Sequence, residues 1–148
     1  MDHWERTVSH HWIDPKACES LAILVESVSC AILTQNHSPI CLEVDIDPSI
    51  RIPADGEKVA ELVRTLVNQS IAEMGVQGGE LTITAVDVSS GLELEVADTG
   101  RSIEQRATSL PFIAAALGAK IHWQNCPQGG AAATIVFRPT AGASRMVA

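Results

Sequence analysis

The stretch Leu92–Ile103 reads Leu-Glu-Leu-Glu-Val-Ala-Asp-Thr-Gly-Arg-Ser-Ile. Its first six residues alternate between apolar and acidic or small side chains, which predicts a half-buried β-strand. The alternation ends at Asp98, and Gly100 indicates a turn directly after it. The sequence therefore places one carboxylate at the end of a strand, at the rim of a sheet.

Composition and charge describe a folded, acidic domain. The chain has 148 residues, of which 46% are hydrophobic and 19% charged, enough apolar side chains for one buried core. Its formal net charge of -8 argues against a surface for nucleic acid or an anionic membrane, because both would repel it. This charge does not exclude a locally polar pocket for a phosphorylated ligand.

The cellular compartment is predicted from the N-terminus, the apolar runs and the cysteines. The N-terminus has no apolar signal-peptide core, and no apolar run approaches the ~20 residues that span a bilayer. The four cysteines are scattered without a Cys-x-x-Cys pair, which is typical of small buried side chains in a reducing compartment. We therefore expect a cytoplasmic protein without membrane contact.

Two helices are predicted from capping residues and apolar periodicity. Asp14-Pro15 opens the first, which continues through about Leu33 and contains Cys18. Asp55 caps the second, which runs through Met74 and stops before a glycine.

A third helix is predicted over residues 104–117, with Pro111 either starting it or kinking it and Gly118 capping its C-terminus. Residues 1–13 are expected to form an N-terminal arm. Residues 140–148 are small and polar and are expected to form a frayed tail. The domain itself is predicted to span residues 14–139.

Strands are predicted wherever apolar and polar residues alternate with period two. They cover 41–47, 80–88, 92–97, 120–125 and 132–137, with turn residues between the members of each hairpin. Helices that alternate with consecutive hairpins predict an α+β fold, a two-layer sandwich with about three helices on one face of a mixed, mainly antiparallel sheet.

Three short motifs in this order resemble the ATP-binding domain of the GHKL family, the Bergerat fold of sensor histidine kinases and DNA gyrase B. Asp55–Ile71 is similar to the family's "D…L…L-x-x-L-L-x-N-A-I" helix, and Asp98-Thr-Gly-Arg-Ser-Ile is similar to "D-T-G-x-G-I". Gly118-Ala-Lys-Ile is similar to "G-G-x-I" before the final hairpin. The resemblance covers roughly residues 14–139.

The resemblance implies a nucleotide site built around the strand-end aspartate. In the family this aspartate accepts a hydrogen bond from the adenine amino group, and Asp98 matches it. The glycine that lets the backbone pass close to the base is matched by Gly100. Ser102 and Ile103 follow in the same motif.

The family's helix also contributes an asparagine that helps to hold Mg²⁺ against the ATP phosphates. Aligning Thr65-Leu-Val-Asn-Gln-Ser-Ile71 with "N-L-L-x-N-A-I" puts Gln69 at this metal-binding position and Thr65 one turn before it. The helical periodicity agrees, because it turns Asn68 outward. Thr134 on the last strand matches a threonine that often approaches the aspartate, in an alignment ambiguous by one residue.

This sequence departs from the family pattern where phosphates are held. Gln69 is one methylene longer than asparagine, Ala72 replaces a common basic residue, and Ser102 replaces the second glycine of the turn. Only about twenty residues separate Asp98 from Gly118, without the family's lid or its "G-x-G-L" segment. We expect phosphoryl transfer to suffer from these losses.

Two hypotheses of function follow from the resemblance. The first is a stand-alone histidine-kinase-like domain of bacterial signal transduction, binding ATP or ADP with Mg²⁺, with weakened or lost catalysis. The second is a degenerate adaptor or phosphotransfer-type module on the same fold that binds no nucleotide. In either case the expected partner is a signalling protein, a response regulator or a sigma or anti-sigma type factor. The plain alternative remains that Asp98 is an ordinary strand-end carboxylate and Gln69 a solvated helix residue.

Overall fold

A computed structural model of the chain describes residues 14–106 and 112–139. Within these ranges the chain forms three α-helices, five β-strands and two short 3₁₀ turns. In chain order they are α1 Leu21–Thr34, β1 Ile40–Asp45, α2 Gly56–Met74, the 3₁₀ turn Gly75–Gln77, β2 Gly79–Val88, β3 Gly91–Asp98, the 3₁₀ turn Ile103–Gln105, α3 Phe112–Ala116, β4 Lys120–Asn125 and β5 Ala131–Phe137.

The five strands form one mixed sheet in the order β1-β2-β3-β5-β4. β1 and β2 are parallel, because the chain crosses back through α2 between them, and every other pair is antiparallel. The predicted α+β two-layer sandwich is confirmed, and so are the two predicted hairpins. This order puts β3, with Asp98 at its end, at the centre of the sheet.

The core lies between the sheet and the helices. α1 and α2 bury their apolar stripes against the inner face of the central strands. The largest fully buried side chains come from both layers: Leu21, Leu24, Leu62, Leu66, Leu81, Ile83, Leu94 and Ile135. The outer face of the sheet is more exposed, as the alternating burial of β1 shows.

Helix α1 begins at Leu21, so the prediction that Asp14-Pro15 opens it was wrong. The Asp14 carbonyl instead accepts the backbone N–H groups of Ala17 and Cys18 in a turn. Ser20 is the N-cap, and its hydroxyl accepts the N–H of Ile23. Backbone hydrogen bonds between 19–21 and 50–52 hold this part of the chain extended until Ser20. Cys18 therefore precedes the helix instead of lying inside it.

Helix α2 has the predicted ends. The Asp55 carboxylate accepts the N–H of Lys58 at 3.2 Å, which satisfies one of the free donors of the first turn. The helix stops at Met74, and Gly75 follows with a φ of 69°. Glycine adopts a positive φ without the steric cost that a Cβ would bring, so it suits the residue that ends this helix.

The third helix is shorter than predicted. Residues 103–105 form a 3₁₀ turn, and the α-helix covers Phe112–Ala116. Its end is a Schellman motif, in which the N–H groups of Gly118 and Ala119 donate to the carbonyls of Ala115 and Ala114. The predicted C-cap at Gly118 is confirmed.

Several sequence predictions fall outside the described residues. These are the N-terminal arm 1–13, the stretch 107–111 with its proline, and the tail 140–148. Among the residues that are described, no helix is both long enough and apolar enough to cross a membrane.

Candidate functional site at the end of strand β3

Asp98 ends β3 on the inner, helix-facing side of the sheet. Its cross-strand partners are Leu81 on β2 and Ala131 on β5, and only 3% of the residue is exposed. The backbone N–H of Gly100 donates to Asp98 Oδ1 at 2.8 Å, which closes the turn that follows the strand. A carboxylate this deeply buried requires hydrogen-bonding or charged partners.

Arg106 supplies the charged partner. Its Nη1 donates to Asp98 Oδ2 at 3.0 Å, and its Nη2 donates to Asp98 Oδ1, so the pair is bidentate. The two side chains are 4% and 1% exposed. The Nε of Arg106 donates to the Arg101 carbonyl at 2.8 Å, which fixes the plane of the guanidinium over the turn. Both carboxylate oxygens of Asp98 therefore accept hydrogen bonds from the protein itself.

The turn after Asp98 is held by the start of β2 and by the end of α2. The Thr99 hydroxyl accepts the N–H of Glu80 at 3.0 Å, and Arg101 Nε donates to Glu73 Oε1 at 2.8 Å. Gly100 lies so close to the helix that an added Cβ would stand 2.7 Å from the carbonyl oxygen of Glu73. Contact with α2 is thus a sufficient reason for a glycine at this position.

The loop between β4 and β5 covers the other side of Asp98. Gly130 is buried with a φ of 90°, and a Cβ there would overlap the carbonyl oxygen of Asp98. Cys126 begins this loop. Burial raises the pKa of its thiol, and the charges of Glu95 and Asp98 raise that pKa further, while Arg106 opposes them. A thiol of this kind is a poor nucleophile near neutral pH.

Asn125 at the end of β4 holds the turn that leads to Arg106. Its Oδ1 accepts the N–H of Ile103 at 2.8 Å, and its Nδ2 donates to Glu104 Oε1 at 3.0 Å. The side-chain hydrogen bond from Asn125 is the main reason that the pKa of Glu104 lies below its ordinary value. These bonds hold the 3₁₀ turn Ile103–Gln105 where the helix over residues 104–117 was predicted to begin.

The chain was compared with known proteins. No protein-family model matches it, and no curated protein matches it. Among solved structures, the nucleotide-free catalytic domain of histidine kinase ThkA aligns with a TM-score of 0.64 over 81% of this chain and 94% of that one, at 18% identity. The ATP-binding domain of PrrB from Mycobacterium tuberculosis aligns with a TM-score of 0.59 over 86% and 100%, at 17% identity.

This chain has the fold of a histidine kinase catalytic domain. A further structure, histidine kinase ThkA in complex with the response regulator protein TrrA, aligns with a TM-score of 0.67 at 19% identity. The alignment covers 82% of this chain and 41% of that one. The predicted resemblance to the Bergerat fold is confirmed, and identities this low show the fold alone.

The predicted metal-binding helix positions lie on the shoulder of α2. Gln69 and Thr65 are half-buried, whereas Asn68 is exposed, as the periodicity predicted. The Thr65 hydroxyl donates to the Glu61 carbonyl at 2.9 Å, one turn back along the same helix. Ser70 is buried against the core. Within 14–106 and 112–139, no group of three or more His, Cys, Asp and Glu side chains is placed to hold a metal ion.

Thr134 lies on the opposite face of the sheet from Asp98. Asp98 pairs with Ala131, and side chains alternate between the two faces along β5. Thr134 is three residues after Ala131, so its side chain lies on the other face. Thr134 pairs with Glu95 on one side and His122 on the other. The register therefore does not bring Thr134 to the candidate site.

Arg106 is the central residue of the site that the sequence did not single out. The only signal in the sequence was indirect: the eight residues after Asp98 include two arginines, Arg101 and Arg106, and an aspartate that becomes buried needs a cation. Arg101 pairs with Glu73 and Arg106 with Asp98, a choice that the sequence leaves open. An adenine amino group placed on Asp98 would have to compete with this guanidinium, which binds both carboxylate oxygens, so the residues as arranged do not fit the base.

Proposed function

We propose that this chain is a signalling domain of histidine-kinase-like fold that acts by binding a partner protein, with nucleotide binding lost or strongly weakened. The observation that carries the proposal is the buried pair between Asp98 and Arg106. It places a guanidinium where the resemblance predicts the adenine amino group, and both carboxylate oxygens already accept hydrogen bonds from the protein's own donors.

The energetic argument rests on the burial of this pair. Separating one member of a buried ion pair costs about 3–5 kcal/mol, since the other charge is left without a partner. Each 1.4 kcal/mol is about tenfold in affinity, so adenine competing for Asp98 would bind about 100- to 4,000-fold more weakly. A site that otherwise had a micromolar Kd would be shifted to a Kd of about 0.1 to 4 mM.

The phosphate end of the site supports the same proposal. Gln69 and Ala72 stand in place of the family's asparagine and basic residue, and Ser102 replaces a turn glycine. With weak contacts at both the adenine end and the phosphate end, the site has few groups to hold ATP or its Mg²⁺ ion. ATP, ADP and Mg²⁺ are therefore not resident cofactors in this proposal.

The class of partner is taken from the comparison with solved structures. ThkA, to which this chain is similar in fold, is described in complex with the response regulator protein TrrA. A response regulator is therefore the first class of partner to test. Sigma and anti-sigma type factors are the second class of partner to test, and only the resemblance of the sequence supports them.

The deciding experiment is a calorimetric titration of the protein with ADP and with Mg²⁺-ATP at millimolar concentration. We expect no saturable heat for the unmodified chain, and Asp98-dependent ADP binding to appear in the Arg106→Ala and Arg106→Gln variants. Arg101→Ala is the matched control, because Arg101 leaves the same turn but pairs with Glu73 outside the pocket. Saturable binding to the unmodified chain that Asp98→Asn abolishes would overturn the proposal and favour the ATP-binding hypothesis.

A further inference from the structure

A groove of about 490 Å³ lies between α1 and α2, away from Asp98. Its apolar side chains are Val28 and Ile32 of α1 and Ile71 of α2. Ala31, beside them, is exposed and too small to cover them. Two packed helices usually fill the groove between them with their own long side chains, and here a small residue leaves it open.

Among the described residues that line this groove, Arg64 at its rim is the one that carries a charge. The other polar lining groups are amides, among them Asn68 and Gln35. Arg51 and Arg101 each pair with a glutamate, but within the described part of the chain no ion pair joins Arg64 to an acidic group. An exposed, unpaired guanidinium beside an apolar floor matches a ligand that combines an apolar surface with a carboxylate.

The shape of the groove distinguishes between possible occupants. Pockets for small molecules bury most of the ligand surface, whereas this groove is bordered by the exposed residues Arg64, Asn68 and Gln35. An open groove between two helices is suited to a third helix, which binds through apolar side chains one turn apart. The occupant that fits is therefore helical.

We propose that this groove is the docking site for an amphipathic helix of a partner protein, with an acidic residue of that helix bound to Arg64. The inference rests on the proposed function, since it assigns a surface to the partner that the function requires. The net charge of -8 repels acidic partners at long range, but ions screen this repulsion beyond about 8 Å at physiological salt. A single carboxylate at Arg64 is thus compatible with an acidic domain.

The test is selection from a displayed library of helical peptides, carried out on the full chain without nucleotide. We expect enrichment of peptides that have apolar residues one turn apart and an acidic residue beside them. Affinities of the selected peptides are then measured by fluorescence anisotropy. Ile32→Asp should abolish binding, and Arg64→Glu should weaken it by about fivefold.

Two controls separate docking from unfolding. Ile23→Asp places the same change on α1 at a residue that is 50% exposed and does not line the groove, so it should leave affinity unchanged. A peptide in which lysine replaces the acidic residue should recover affinity on the Arg64→Glu variant. Circular dichroism verifies that each variant is folded.

Absence of enriched peptides would overturn the docking site. So would selected peptides whose affinity is the same for the unmodified chain, Arg64→Glu and Ile32→Asp. The nucleotide titration tests the proposed function independently, because Asp98 does not line this groove. Nucleotide binding by the unmodified chain would contradict the proposed function and leave the peptide result as it stands.

Discussion

The guanidinium of Arg106 binds both carboxylate oxygens of Asp98. Both side chains are buried, with 4% of the Arg106 side chain and 1% of the Asp98 side chain exposed. In a fold shared with histidine kinase catalytic domains, this carboxylate is at the position that the sequence motif assigns to adenine recognition. Here the carboxylate accepts its hydrogen bonds from Arg106 of the same chain, so the pair is a structural contact of the domain.

Arg106→Ala is expected to destabilise the domain by about 3–5 kcal/mol, because the buried Asp98 carboxylate loses its cation. Urea unfolding followed by circular dichroism measures the change. Arg101→Ala is the matched control. Its pair with Glu73 is 57% exposed on the arginine side, and exposed pairs contribute about 1 kcal/mol or less. Equal losses for the two variants would show that the Asp98–Arg106 pair is not a major stabilising contact.

Gly130→Ala is expected to cost at least about 2 kcal/mol more than Gly129→Ala, because overpacking against a rigid neighbour is added to backbone strain. Both glycines have positive φ, 90° and 106°, so both alanines are strained. Only at Gly130 does the new Cβ meet the backbone of Asp98, whereas nothing lies within 4 Å at Gly129. The comparison is made from the two melting temperatures. A similar decrease for both variants would contradict the close approach of the β4–β5 loop to Asp98.

Asn125→Ala is expected to raise the pKa of Glu104 towards its ordinary value, because the main hydrogen bond that lowers it is removed. The lowered pKa in the folded state means that this contact stabilises the domain above the unfolded pKa of about 4.3. The stabilisation is lost as the pH falls through the lower, folded pKa. The measurement is an NMR titration of the Glu104 side-chain carboxyl.

Asp47 is the internal control for that titration. Its pKa is lowered by the backbone and the side chain of Ser49, far along the chain from Asn125. It should titrate identically in the unmodified chain and in the variant. An unchanged Glu104 pKa in Asn125→Ala would refute the assigned role of Asn125 in holding the turn before Arg106.

Features of this fold that depend on neighbouring residues were predictable from the sequence. Asp55 caps α2 and Gly118 ends α3, because capping is satisfied within one helical turn. The alternation in 80–88 and 92–97 places one face of each strand in the core, which determined the hairpin. The three ordered motifs then predicted the Bergerat fold, and the likeness to solved catalytic domains confirmed it.

Features that depend on contacts between distant segments were not predictable. Leu21 begins α1 because residues 19–21 bond to 50–52, a pairing without a local signal. Thr134 faces away from Asp98 because of the register between β3 and β5, which is set only when the two strands pair.

The stretch Leu92–Ile103 by itself determined a strand that ends in a carboxylate before a glycine turn. Only the tertiary structure decided what that carboxylate binds. Two arginines follow Asp98 in the chain. The nearer one, Arg101, pairs with Glu73 on α2. Asn125 holds the turn that returns the chain to Asp98, where Arg106 forms its pair. The physical reason is that a buried charge must find its partner in space, and the path of the chain after the turn sets which partner is within reach.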